Sequence, residues 1–214
     1  MSSSPRGEPG LGSFVDIAGE PGDPRWMTAE VLASWLLGVM VATVPPGQSR
    51  FPAEARESEE HGRARYSEIA DALARVALDP DEKAVFDGKL ARERTAALML
   101  ALSFHESRWR RDVDLGLGPY GRTRARYHCL MQVAVGAGRT VEGWSAGDLL
   151  SSRERCFRAG LHILARSRGS CKAQGPDAWL RLYTSGRCDR GGGPADKRLA
   201  TLRTWISAYP MRDL

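Results

Sequence analysis

Residues 95–104, Thr-Ala-Ala-Leu-Met-Leu-Ala-Leu-Ser-Phe, are apolar on nearly every side of a helix. A helix without a solvated face has to be surrounded by other elements. The rest of the chain supplies them, mostly in helical form. Val31, Leu32, Trp35, Leu36, Val39 and Met40 recur at helical spacing, after Thr28, which can cap, and before Pro45-Pro46-Gly47, which ends the helix. Ile69, Ala70, Leu73, Val76 and Ala77 form a second stripe from about residue 67, broken at Asp79-Pro80-Asp81. A long stretch then runs from about residue 81 to Phe104, with a break at Gly88. Residues 144–148 read as a short capped helix, and Ser151-Ser-Arg-Glu154 as a capping box opening another that carries Cys156, Ala159, Gly160, Ile163 and Leu164. Pro176 opens a helix with Trp179, Leu180, Leu182 and Tyr183; Pro194 suits the first turn of a last one with Leu199, Leu202, Trp205 and Ile206. Residues 111–128, with Gly116, Gly118, Pro119 and Gly121, read as a loop or short irregular hairpin. Strand alternation is scarce, so the expected fold class is mainly α.

Three regions follow: a Ser-, Pro- and Gly-rich flexible arm at 1–26, an N-terminal helix and linker at 27–60, and a helical domain at 61–210. The apolar stretch 31–44 is too short to span a bilayer, and the start of the chain lacks the apolar region of a secretion signal. The net charge is +5, and lysine occurs only at 83, 89, 172 and 197, so the basic residues are nearly all arginine. That balance suits either a solvated arginine-rich surface or attraction to an anionic polymer such as nucleic acid, anionic lipid or a bacterial wall, and by itself chooses no partner. There is no five-residue basic run, and residues 67–90 carry at least as many acids as bases, so nucleic acid is not expected. No metal-ligand spacing, phosphate loop or Ser-His-Asp order is present, so neither metal nor cofactor is expected. Cys129, Cys156, Cys171 and Cys188 form no C-x-x-C pair. They are either buried thiols or two bridges suited to an oxidising compartment.

Polar residues arrive abruptly after the apolar helix, as His105-Glu106-Ser107-Arg108. A carboxyl at the end of a buried helix is partly desolvated, which favours its protonated form. Glycoside cleavage needs such an acid to protonate the departing oxygen. Read alone, Glu106 is more simply a helix-terminal carboxylate paired with Arg108 or Arg110. His105 and His162 read as structural.

The order of further motifs bears on that choice. Glu106-Ser107 is followed by Cys129-Leu130-Met131-Gln132, by Ala159-Gly160 with Leu164, and by Leu182-Tyr183-Thr184-Ser185-Gly186. Over roughly residues 90–190 this resembles the soluble lytic transglycosylases, relatives of goose-type lysozyme. In that family a Glu-Ser pair ends a buried helix, and Gly-Leu-Met-Gln, an Ala-x-x-Gly helix and Tyr-Asn-x-Gly follow. The resemblance implies a lysozyme-like domain with a deep glycan cleft, cutting the β-1,4 bond between the N-acetylmuramic acid and N-acetylglucosamine units of peptidoglycan. Glu106 would be the catalytic acid and base, and Ser107, Met131, Gln132, Tyr183, Thr184 and Ser185 would contact glycan. Tyr183 would also hold the Glu106 carboxylate, and Gly160 and Gly186 would allow close packing. Cys129 stands where the family has Gly, and Thr184 where it has Asn.

A muramidase would add a second carboxylate. Asp112 and Asp114 are the candidates by position, Asp114 above all. A non-catalytic wall-binding or virion protein is the reading from another class. Within the resemblance, the preferred bridges are Cys129–Cys156 and Cys171–Cys188. Action on the wall from a chain without a clear signal implies the periplasm or wall as the place of work, with delivery by phage, holin or secretion machinery. Residues 1–60 would dock on such an assembly.

Overall fold

The computed structural model describes residues 27–47, 57–117, 127–171, 177–189 and 192–211. The arm at 1–26, the segment 118–122 and Pro176 lie outside the described residues. Within them the chain is mainly helical: α1 (Ala29–Thr43), α2 (Glu59–Leu78), α3 (Ala91–Ser107), α4 (Arg111–Asp114), α5 (Ala146–Ser151), α6 (Arg153–Ser170), α7 (Ala178–Ser185) and α8 (Gly193–Ala208). One ribbon, β1 (Tyr127–His128) and β2 (Val133–Ala134), pairs antiparallel with Tyr127 opposite Ala134. No helix among the described residues is long and apolar enough to cross a membrane.

The apolar run becomes the centre of the molecule. Residues 95–102 of α3 are 0% exposed, enclosed by α1, α2, α6 and α8. Thr95 is polar but satisfied, its hydroxyl donating to the Ala91 carbonyl and accepting from the Val85 amide. Burial without partners would cost a few kcal/mol at such a group.

Two boundaries differ from the sequence expectation. Helix α2 begins at Glu59 rather than near 67, because Ser58 caps the His61 amide and Glu59 and Glu60 suit the positive end of the helix dipole. Residues 81–90, expected to be helical up to a break at Gly88, form turns and bends. Arg92 gathers the carbonyls of Ala77, Asp79 and Pro80, and so ties this connection to the first turn of α3. The cap of α6 is Ser152 rather than Ser151, whereas the Ser145–Asp148 capping box of α5 forms as read.

Helix α1 belongs to the common core. Leu32, Leu36, Val39 and Met40 pack into the common core against α2, and Trp35 Nε1 donates to the Tyr209 carbonyl at 2.9 Å. The division at residue 60 is therefore not a boundary between cores. Two disulfides, Cys129–Cys156 and Cys171–Cys188, tie the ribbon to α6 and the end of α6 to the segment after α7. They are the two preferred pairings.

Candidate active site

Glu106 sits one residue before the end of α3, where the chain leaves the helix through two left-handed residues, Arg108 (φ 56°) and Trp109 (φ 51°). Side chains adopt that region at a cost, and here the surroundings enforce it. The Ser107 hydroxyl donates to the Ser103 carbonyl and accepts from the Trp109 amide. Trp109 Nε1 donates to the Ser103 hydroxyl at 2.9 Å. Arg65, reaching across from α2, donates to the Trp109 carbonyl at 2.7 Å. Phe104 and Trp205 pack on the Trp109 ring at 5.0 and 6.0 Å between centroids. The turn that aims Glu106 is thus held by bonds and rings that do not use the Glu106 side chain.

The carboxylate itself pairs with Arg198, whose Nη2 donates to Glu106 Oε1 from α8. Neither neighbour suggested by the sequence takes that place. Arg108 stacks over the Phe104 ring at 4.2 Å, and Arg110 pairs with Asp112. Glu106 keeps 24% of its side chain exposed and Arg198 12%. His105 is bonded to another residue of α8, its Nε2 2.9 Å from the Thr201 hydroxyl. Burial, then the charges of Arg198, Arg108 and Lys197, lower its pKa to about 4. Neutral near pH 7, it adds no positive charge beside the acid.

Tyr183, on α7, comes close enough for its charge state to respond to both members of the pair. Burial foremost, and then the negative field of Glu106, push its hydroxyl well above the usual phenol range, with Arg198 opposing in part. Its hydroxyl donates to the Met131 carbonyl at 3.1 Å, not to Glu106. That bond joins α7 to the Leu-Met-Gln turn between β1 and β2. Cys129 opens this turn at φ 58° and Gln132 closes it at φ 49°, with the Gln132 amide and side-chain Nε2 both donating to the Cys129 carbonyl at 3.0 Å. Met131 is buried against Gly160 of α6, where an added Cβ would come within 2.6 Å of Met131 Cε.

Other residues expected at the site are occupied elsewhere. Ser107 is buried with its hydroxyl committed to the α3 end, so it is a structural lock rather than a glycan contact. The Thr184 and Ser185 hydroxyls turn back to the Arg181 carbonyl of their own helix at 3.3 and 2.8 Å. Asp114, the candidate second carboxylate, is enclosed in an ion-pair network. Its side chain is 2% exposed, accepts from Arg153 Nε at 3.0 Å and Nη2 at 2.7 Å, and lies 4.0 Å from Arg65. Asp112 is buried against Arg110. Gly186 is the left-handed C-cap of α7 (φ 72°) and has open space where a Cβ would stand, so it serves the turn rather than close packing. His162 lies apart, between Glu82 and Glu142 at 2.9 Å each. No group of side chains able to hold a metal ion occurs among the described residues.

Arg198, Arg65, Ser103 and Trp109 are the site residues that sequence reasoning missed. Only Trp109, an aromatic directly after the polar break, carried a signal. No family model, curated protein or solved structure matches this chain.

Proposed function

We propose that this chain cleaves the glycan of peptidoglycan as a lytic transglycosylase, through a lysozyme-like helical domain with Glu106 as its acid and base. The observation that carries the reading is a convergence. A Glu at the end of a buried helix, the Leu-Met-Gln turn and the Tyr of α7 are distant in sequence, yet Tyr183 bonds the Met131 carbonyl of that turn and its hydroxyl feels the charge of Glu106. The departure at Cys129 also fits, because the residue stands in the left-handed conformation that glycine favours and a disulfide anchors it there.

Glu106 would protonate the glycosidic oxygen between the N-acetylmuramic acid and N-acetylglucosamine units. The substrate's own N-acetyl group would assist at the anomeric carbon. The ionised Glu106 would then take the proton of the sugar 6-hydroxyl, giving a 1,6-anhydro end. One carboxyl suffices for both steps, in keeping with Asp112 and Asp114 being occupied by Arg110 and by Arg153 with Arg65. The site of action is the periplasm or wall, which suits a chain with two disulfides. Delivery is by phage, holin or secretion machinery, and any docking onto an assembly falls to the arm and to the outward side of α1.

A second reading, a wall-binding or virion relative without activity, is favoured by one observation: Arg198 occupies the carboxylate that would do the chemistry. Mass spectrometry of muropeptides released from purified wall separates them. Anhydro-muropeptides from the wild type that vanish in Glu106→Gln are expected. Reducing ends instead would mean a muramidase, and no release would mean the binding relative.

A further inference from the structure

The chain leaves α3 through a turn that its own helix does not fully hold. Trp109 lies in the left-handed region at φ 51°, directly after Arg108 at φ 56°. A side chain as large as tryptophan is an outlier there, and persists only where its surroundings over-determine it. Of the hydrogen bonds described above at this turn, three begin and end within residues 103–109: the Ser107 hydroxyl to the Ser103 carbonyl, the Trp109 amide to Ser107, and Trp109 Nε1 to Ser103. They close the end of the helix, but they move with it. Another comes from a different element. Arg65 of α2 donates through Nη1 to the Trp109 carbonyl at 2.7 Å, and so fixes the turn to the rest of the molecule.

Arg65 is itself fixed before it reaches that carbonyl. Its Nε and Nη2 donate side by side to the two carboxylate oxygens of Glu57, at 2.9 and 2.8 Å. The two side chains are 8% and 7% exposed, so water competes little for these bonds. On the Nη1 side the Asp114 carboxylate lies at 4.0 Å, held in turn by Arg153 of α6. A guanidinium is a planar fork with fixed donor directions. With two prongs seated on Glu57, the direction of the third is set, and it meets the Trp109 carbonyl. Glu106 stands three residues before Trp109, in the last turn of α3. If Trp109 relaxes out of the left-handed region, the Ser107 hydroxyl loses the Trp109 amide, and the last turn shifts with Glu106 in it.

We propose that Arg65 is a positioning residue for Glu106: by fixing the Trp109 carbonyl from α2, it sets where the last turn of α3 presents the acid. It acts through the turn and not on the glycan. This rests on the reading above of Glu106 as the acid.

The test uses the full chain and soluble peptidoglycan strands. Arg65→Gln removes the fork. Glu57→Gln/Arg65→Gln removes it together with the carboxylate it would leave buried and unpaired, which spares the fold that cost. Arg92→Gln is the control, since Arg92 also bonds backbone carbonyls, but at the opposite end of α3. The readouts are kcat and KM per folded protein, and hydrogen exchange of the Trp109 amide relative to that of Leu100 in the middle of α3. In both Arg65 variants kcat should fall about 100-fold, as for a misplacement of about 1 Å, with KM within about threefold of wild type. Protection of the Trp109 amide should fall by about tenfold or more against Leu100, as in a local opening. Arg92→Gln should leave both readouts within about twofold of wild type. Arg65→Lys, which keeps the charge but not the fork, should recover part of kcat. Wild-type kcat in both Arg65 variants overturns the proposal and leaves the transglycosylase reading intact. So does a loss of kcat with Trp109 still protected, or an equal loss in Arg92→Gln, which would mark a general loosening of the fold. No cleavage by the wild type ends the transglycosylase reading and the proposal with it.

Discussion

Gly160→Ala isolates the packing beneath the site, because its sign depends on a single neighbour. Replacing glycine by alanine inside a helix is worth about 1 kcal/mol in favour of the fold. Against that, the new Cβ meets Met131 Cε at 2.6 Å, Cγ at 3.0 Å and Cβ at 3.3 Å. Cε is a free end and can swing away. Cγ and Cβ cannot yield as easily, because the Met131 carbonyl is bonded to Tyr183 and the bridge at Cys129 anchors the same turn. Overpacking of this kind costs about 1–3 kcal/mol. The cost exceeds the gain, and Gly160→Ala should destabilise by about 1 kcal/mol. In a Met131→Ala background Cγ and Cε are gone, and the same substitution should stabilise by about 0.5–1 kcal/mol. The coupling in this double-mutant cycle is then roughly 2 kcal/mol, within the range for residues in contact. Urea denaturation of the four proteins, with m held constant, gives the numbers. A change of the same sign and size in both backgrounds would refute the argument that Met131 is pinned from the Tyr183 side.

Asp114→Asn should cost about 3 kcal/mol in stability, since it leaves Arg153 and Arg65 facing a neutral group in a buried network. The product of the folded fraction should be unchanged; loss of cleavage with stability intact would return Asp114 to the reaction. His105 has its pKa lowered in the folded chain to about 4 from 6.5, so its contribution to stability is complete above 6.5 and is lost as pH falls towards 4. After allowance for solvent screening the loss is about 1–2 kcal/mol, and His105→Gln should flatten that part of the stability–pH curve. Opening the Cys171–Cys188 bridge, which spans 17 residues, should cost on the order of 3 kcal/mol in chemical denaturation. No change on its removal would mean that the ends of this loop are held by packing alone.

The central helix was legible in the sequence because its all-round apolar run admits one environment, and the stripes of α1, α2, α6 and α8 followed from it. The turn at 80–90 was not. Its residues between the breaks at Pro80 and Gly88 suit a helix, but Arg92 ties its start to the first turn of α3 and the Val85 amide donates to the Thr95 hydroxyl, contacts that no local pattern announces. Glu106 was visible from the abrupt polar break. Its partner was not, because Arg198 lies 92 residues away on α8 and looks like any other arginine of a solvated helix. Ser107 misled for a related reason: a serine beside a candidate acid reads as a substrate contact until its hydroxyl is seen closing the helix. Asp114 was near in sequence but is drawn inward by Arg153, which follows it by 39 residues. Periodicity reveals which face is buried, whereas pairing between charges depends on tertiary neighbours.

The bond from Trp35 to the Tyr209 carbonyl joins positions 174 residues apart and brackets most of the described structure. Together with the Arg198 contact to Glu106, it makes the last helix a keystone for both the first helix and the acid. On a ribosome the described helices that precede α8 emerge with α1 lacking its closing contact and Glu106 lacking its cation. Pairings so distant close slowly, since the loop entropy is paid before the contact forms. The order of synthesis therefore leaves the site unassembled until α8 has been made.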